Sequence, residues 1–239
     1  CYKYFISQGY EDHRVFSNLG IIQQTLGKLE EAELSTQKAI SIHPNYPNAH
    51  FSLGNIFKAL GKLKEAEISF RNAIELKSDY PNAYCNLGDV LRDLGKLKEA
   101  EISLRNAIKL NPNFAMAYSN LGIVLQDIGN LKESEISFKR SIEIDPKNAN
   151  AHINLGNLFR DLKKLQEAEI SFRKALNLNP NFAMAHSNLG NVLRDLGKLE
   201  EAELSQRKAI NLNPNFAIAY SNLGNVLKDL GKLEEAELS

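Results

Sequence analysis

Apolar side chains recur along the chain in a fixed order. A leucine followed by glycine stands at Leu19, Leu53, Leu87, Leu121, Leu155, Leu189 and Leu223, each 34 residues after the one before. A period held this long marks a tandem repeat. With this leucine at position 7 of the unit, apolar or aromatic residues fall mostly at positions 4, 7, 11 and 14, as in Tyr84, Leu87, Leu91 and Leu94, with Gly88 between them. That spacing predicts a helix. A second apolar run, Leu97, Ala100, Ile102, Leu104, Ala107, Ile108 and Leu110, follows the turn Asp93-Leu94-Gly95-Lys96. Gly95 suits the left-handed conformation that ends a helix. The unit closes on Asn111-Pro112-Asn113. Proline stops the second helix there, and Asn113 reads as a cap for the next one. Each unit is therefore helix A, a tight turn, helix B and a linker.

This phase divides the chain into residues 13–46, 47–80, 81–114, 115–148, 149–182 and 183–216, with a shortened seventh unit at 217–239 and the end of a preceding helix B plus linker at 1–12. Cys1 and Ser239 both fall at position 23, and Tyr2 and Phe5 at positions 24 and 27, where helix B should pack. Both termini thus interrupt a helix B, and the expectation is an excerpt from a longer protein. Gly88 and Ala100 leave room for two backbones to approach, while Ala107 admits the following unit. Five helix-B pairs at i,i+4 spacing, Glu67/Arg71, Glu101/Arg105, Glu135/Lys139, Glu169/Arg173 and Glu203/Arg207, each support their helix by roughly 0.2–0.5 kcal/mol. Isolated helices this short are marginal, so stability must come from stacking units on one another.

Leucine at position 7, glycine at 8, alanine at 20, often an aromatic at 24, alanine at 27 and proline at 32 resemble the tetratricopeptide repeat signature. The fifth unit carries all six, as Leu155, Gly156, Ala168, Phe172, Ala175 and Pro180. The resemblance covers essentially the whole chain and implies an all-α fold, a right-handed superhelical solenoid of antiparallel helix pairs. The phrases Ala83-Tyr84-Cys85-Asn86-Leu87-Gly88 and Ala185-His186-Ser187-Asn188-Leu189-Gly190 also look like the superhelical arm of O-linked N-acetylglucosamine transferases and Spindly-type proteins. The near-copied units are similar to long bacterial, especially cyanobacterial, arrays. Departures from the pattern are Ser78 in place of the linker proline, Lys163 in place of the turn glycine, Ser134 and Ser141 at small positions, and Thr36 and Gln206 at position 24. A loosened linker is expected at Ser78, and strain or a reshaped turn at Lys163.

The remaining stripe of helix A holds positions 2, 6, 9 and 13, with 5 and 12 beside them. Position 6 is asparagine at Asn18, Asn86, Asn120, Asn154, Asn188 and Asn222, interrupted by Ser52. Position 9 adds Asn55, Asp89, Asn157, Asn191 and Asn225, interrupted by Ile21 and Ile123. An amide both donates and accepts, so a row of amides suits an extended peptide backbone with little regard for its side chains. In the transferase arm this stripe lines the concave face and its matching asparagines hold substrate polypeptide, and the resemblance implies that role for the six position-6 asparagines here. The alternative is that these amides bond to the neighbouring helix or face solvent. Lys58, Arg92, Arg160, Arg194 and Lys228 at position 12 are candidates for contact with acidic groups of a ligand. Against this, Asp93, Asp161, Asp195 and Asp229 directly follow four of them, and neutralisation by these acids is the favoured reading. Position 5 lacks the bases that a carboxylate clamp for chaperone tails requires.

Composition narrows the function further. The 239 residues carry 29 basic and 29 acidic side chains, so no excess charge draws the chain to nucleic acid or a membrane surface. There is neither a long apolar run nor a leader pattern, and a cytoplasmic location is expected. Two cysteines, Cys1 and Cys85, are too few for a disulfide framework or a thiolate zinc site, and read as free thiols in a reducing compartment. His50, His152 and His186 share position 4 with Phe16, Tyr84, Tyr118 and Tyr220, which makes them packing residues, and no metal or cofactor is expected. Catalysis needs a unique constellation, whereas every candidate here is a repeated one. The expectation is a non-enzymatic scaffold that binds a protein or extended peptide. The alternatives are a substrate-recruiting arm of a larger glycosyltransferase and self-association through exposed terminal helices.

Overall fold

The computed structural model describes Gly9 and residues 11–236. The expectations placed on Cys1, Tyr2, Phe5 and Ser239 lie outside the described residues. All regular structure among the described residues is helical, as fourteen helices. One compact body ends at Ile128 and a second begins at Gly129. The first contains α1 (His13–Thr25), α2 (Leu29–Ile42), α3 (Pro47–Ala59), α4 (Leu63–Leu76), α5 (Pro81–Asp93), α6 (Leu97–Leu110) and α7 (Ala115–Ile128). The second contains α8 (Leu131–Ile144), α9 (Ala149–Asp161), α10 (Leu165–Leu178), α11 (Ala183–Asp195), α12 (Leu199–Leu212), α13 (Ala217–Asp229) and α14 (Leu233–Ala236). No helix among the described residues is long and apolar enough to cross a membrane.

Within each body every helix A packs on its own helix B, each helix B on the next helix A, and successive helices A on one another. The small positions set these distances. A Cβ added to Gly88 would lie 2.6 Å from Leu104 Cγ, and one added to Gly54 would lie 2.6 Å from the ring of Phe70. Ala66, Ala73, Ala100, Ala107, Ala168 and Ala175 are fully buried beside them. Position 10, which the apolar pattern passes over, lies deeper than the position-7 leucines: Ile56, Val90, Leu158 and Val192 are inaccessible to solvent. Conversely Ile102, counted in the helix-B run, is 62% exposed and takes no part in the core.

The turn between helices A and B follows from one residue. In the third unit the N–H groups of Gly95 and Lys96 donate to the carbonyls of Arg92 and Leu91, both at 2.8 Å, the pairing of a Schellman cap. Gly95 sits at φ 74° to make it. The same two bonds form in the fifth unit, from the Lys163 N–H to Arg160 O and from the Lys164 N–H to Phe159 O, and Lys163 reaches φ 59° to allow them. Of the two expected outcomes, strain is realised and the turn is not reshaped.

The linkers show a second dependence on side chains. Asn111, Asn179 and Asn213 each accept with Oδ1 from the backbone N–H two residues on, at 3.1–3.2 Å, and Asp145 does the same with Lys147. Lys77 has no such acceptor, Ser78 replaces the proline, and the segment becomes a bend without the turn found in its counterparts. Asn113 does not serve as the expected cap. Helix α7 begins at Ala115, which puts Phe114 at the capping position, and the Asn113 N–H is itself held by Asn111 Oδ1.

Candidate functional site

The asparagine-bearing face of helix A is built by repetition, since a shared helix phase returns the same side chains to the same face every 34 residues. Positions 2 and 13 are exposed throughout, and Asn86, Asn120, Asn154, Asn188 and Asn222 are half-buried, with Asn18 exposed. At position 9, Asn55, Asn157 and Asn191 are half-buried and Asn225 is exposed. Position 5 does not flank this face as the helical wheel implied. Ser17, Cys85, Ser119, Ile153 and Ser187 are buried there, against the preceding or following helix pair.

The amides are tied across units. Asn86 Nδ2 donates to Asn55 Oδ1 at 2.7 Å, and Asn188 Nδ2 to Asn157 Oδ1 at 3.1 Å, so position 6 of one unit reaches position 9 of the unit before. Where the earlier oxygen is engaged elsewhere, the amide turns to position 5. Asn222 Nδ2 donates to Ser187 Oγ at 3.2 Å because Asn191 Oδ1 already accepts from Gln206 Nε2 at 3.0 Å. Asn120 Nδ2 faces Cys85 Sγ at 3.7 Å, because the residue at position 9 is Asp89, which Lys58 and Arg92 hold. Burial pushes the Cys85 thiol up to about 12, with Asp89 adding to the rise, so this sulfur is a neutral acceptor and not a nucleophile. These contacts recur at a spacing of 31 or 35 residues, one repeat less or plus a short step. That arithmetic is available in the sequence once successive helices A are known to lie side by side.

Four of the five position-12 bases make ion pairs within the chain. Arg92 bonds Asp93 at 2.7 Å and Asp89 at 3.4 Å, and Arg160 meets Asp161 at 3.5 Å. Lys58 pairs with Asp89 and Arg194 with Asp229, each an acid of the following unit and not the adjacent one. The ion pairs of these four thus draw on a wider set of partners than the neighbouring aspartates.

All five expected helix-B pairs form, and those of Glu67, Glu135, Glu169 and Glu203 belong to a larger lattice. Glu67 also holds Lys96 at 2.8 Å, Glu135 holds Lys164 at 3.0 Å, Glu169 holds Lys198 at 2.8 Å and Glu203 holds Lys232 at 2.7 Å, in every case a lysine of the next unit. Arg71 and Arg207 extend further, to Glu99 and Glu235, both at 2.7 Å. The position-4 histidines clasp the linkers: His50 Nε2 lies 2.8 Å from Pro44 O, and His186 Nε2 lies 2.9 Å from Pro180 O. His152, buried in the same place, has its pKa pushed down by desolvation against a bond to Pro146 that raises it.

Comparison with known proteins agrees with the repeat. Models described as TPR repeat match residues 25–61, 54–91, 88–129 and 190–231, and models described as tetratricopeptide repeat match 113–181 and 171–203. No curated protein matches the sequence. Among solved structures, the Cut9–Hcn1 hetero-tetramer of the APC/C superposes with a TM-score of 0.82 at 20% identity, over 95% of this chain and 45% of that one. PilF of Pseudomonas aeruginosa gives 0.76 at 19% identity, over 87% of this chain and 94% of that one. YrrB, a TPR protein with an unusual peptide-binding site, gives 0.59 at 23% identity over 77% and 95%. At these identities the likeness is one of fold, an all-α array of helix pairs.

Proposed function

Because the chain belongs to the tetratricopeptide repeat family, whose arrays are typically non-catalytic scaffolds for protein–protein interaction, we propose that its helix-A face holds an extended peptide segment through the asparagine amides. One observation carries this reading: half-exposed amides are oriented in advance by bonds to one another. Asn86 and Asn188 each use one N–H on the preceding unit, leaving a second N–H and an oxygen as further hydrogen-bonding capacity. Fixing an amide before a ligand arrives lowers the entropy lost on binding. These bonds are compatible with ligand contact, since orientation and ligand contact use different atoms of one side chain.

The face is most regular in the second body, where Asn154/Asn157, Asn188/Asn191 and Asn222/Asn225 pair at positions 6 and 9, and the firmest grip is assigned there. In the first body Ile21, Ser52 and Ile123 interrupt the rows. The position-12 bases are assigned a structural part, because the ion pairs of Lys58, Arg92, Arg160 and Arg194 already neutralise them.

An array of unrelated labelled peptides, read by fluorescence anisotropy, tests the proposal. Several sequences should bind with little preference among side chains. Replacing Asn154, Asn188 and Asn222 together by alanine should weaken them about tenfold or more, at roughly 0.5–1.5 kcal/mol per hydrogen bond. Unchanged affinity at unchanged helicity would sink the asparagine face as the site.

A further inference from the structure

Away from the asparagine face, one cleft recurs wherever a helix B meets the following helix pair. Its floor is positions 7 and 11 of helix A, and one wall is position 22 of helix B, an aliphatic residue left in solvent: Ile68 is 60% exposed and Leu204 69%. Solvent-facing aliphatic residues at one repeated position form a patterned apolar surface that the core does not use.

The charge along the rim differs from one cleft to the next. Between α4 and α6 the cleft holds Tyr84, Leu87, Leu91 and Ile102, and the Arg71 guanidinium crosses it to Glu99 at 2.7 Å. Between α12 and α14, Arg207 crosses to Glu235 in the same way. Between α2 and α4 position 25 is Gln37, whose amide turns back to Glu33 at 3.2 Å, so nothing crosses. Glu65, the counterpart of Glu99, has no side-chain partner among the described residues. Between α8 and α10 a cleft of 350 Å³ carries Lys139 and Lys174 on its lining. The α2–α4 cleft, of 300 Å³, has Ile40, Leu53 and Phe57 at its base, Ile68 at its side, an unanswered carboxylate at its edge and no lysine or arginine among its lining residues. That volume is at the small end of ligand clefts and matches a side chain or two of a partner better than a metabolite.

We propose that this cleft is a second docking surface, for a basic amphipathic segment of another protein. An aliphatic side chain of the segment lies on Ile40, Leu53 and Phe57, and a lysine or arginine beside it reaches Glu65. The charge complementarity is the one that the array itself supplies elsewhere: the partner's cation stands where Arg71 and Arg207 stand beside Glu99 and Glu235. The surface works independently of the asparagines.

The test uses the full chain and a short labelled peptide with leucines along one helical stripe and lysines on its flanks, alongside its counterpart with glutamates for lysines. The lysine peptide should bind and shift the methyl resonances of Ile40 and Ile68. Glu65→Gln should weaken it by about fivefold, the factor equal to a favourable exposed ion pair. Gln37→Arg should weaken it as much while preserving helicity, because it supplies an internal cation that answers Glu65. Repeated in the Asn154, Asn188 and Asn222 alanine variant, the Ile40 and Ile68 shifts and the losses from both rim variants should persist, which separates this surface from the peptide face. Failure of the lysine peptide to bind, equal binding of the glutamate peptide, or parental affinity in both rim variants would each overturn the proposal.

Discussion

At the scale of single residues, two departures from the repeat pattern identify places where the fold accommodates a poor fit. Lys163 holds a left-handed backbone that glycine adopts freely, and its consequence was legible because a turn glycine is missing from an otherwise regular series. Gln206 is less transparent. It occupies the fully buried site that Phe70, Leu104 and Phe172 fill in other units, and its Nε2 donates to Ser187 O and Asn191 Oδ1 while its Oε1 has no partner. A polar residue at a core position is visible in sequence, whereas the direction its amide takes depends on Gly190, a Cβ on which would lie 2.6 Å from Nε2. Gln206→Leu reproduces the Leu104 arrangement and removes an orphaned acceptor. Urea denaturation should show stabilisation of about 1 kcal/mol, the lower end of the penalty for a buried unsatisfied group. With Asn191 Oδ1 released, Asn222 should turn to it as Asn188 turns to Asn157, which side-chain amide resonances would report. Destabilisation would mean that the two amide bonds outweigh the orphaned oxygen.

At the scale of elements, helix positions, the turn and the i,i+4 pairs follow from periodicity, because each depends on a few neighbouring residues. The charge lattice between successive helices B does not. Its bonds join residues 28 or 29 apart, and only the packing of helix pairs brings those residues together. The lattice has a pH signature. Around Glu67 and Glu169 burial pushes the carboxyl up, but Lys96 with Arg71, and Lys198 with Arg173, outweigh it and hold each group below the ordinary glutamate value. For Glu135 and Glu203 the leading cause is the lysine bond, from Lys139 and Lys232 respectively, and the direction is the same. With depressed native pKa values, the unfolded chain takes up protons first as acid is added. The lattice's stabilisation is therefore complete above the unfolded glutamate pKa of about 4.3, and is lost as pH falls below it through the native values. Urea midpoints measured from neutral pH down to about 3 should fall in that window. Glu169→Gln should flatten part of the fall and lower neutral-pH stability by about 1 kcal/mol or less, because Lys198 and Arg173 are themselves well exposed. A midpoint insensitive to pH in that range would show that the lattice contributes nothing to the fold.

At the scale of the molecule, near-copying of units makes the stacking model directly testable within the second body. Residues 181–205 and 215–239 differ only at Met184/Ile218, His186/Tyr220 and Arg194/Lys228. The linkers Asn179-Pro180-Asn181-Phe182 and Asn213-Pro214-Asn215-Phe216 are identical. Deleting residues 183–216 would therefore join Phe182 to Ala217 with the helix phase intact. The interface rebuilt on α10 would keep its polar pairs apart from the His186 bond to Pro180 O, which Tyr220 replaces: Lys232 replaces Lys198 beside Glu169, Glu235 replaces Glu201 beside Arg173, and Asn222 replaces Asn188 beside Asn157. What disappears is one unit of stacking, and no local structure need change. If stability is a sum over units and the interfaces between them, helicity per residue should stay constant. The urea midpoint should fall, and the slope of the transition should fall with the apolar surface no longer buried. Loss of helicity throughout would show that the particular pairings at α11 are indispensable, and an unchanged midpoint would show that this unit is not coupled to its neighbours. Either result would break the nearest-neighbour account of an array whose helices are too short to stand alone.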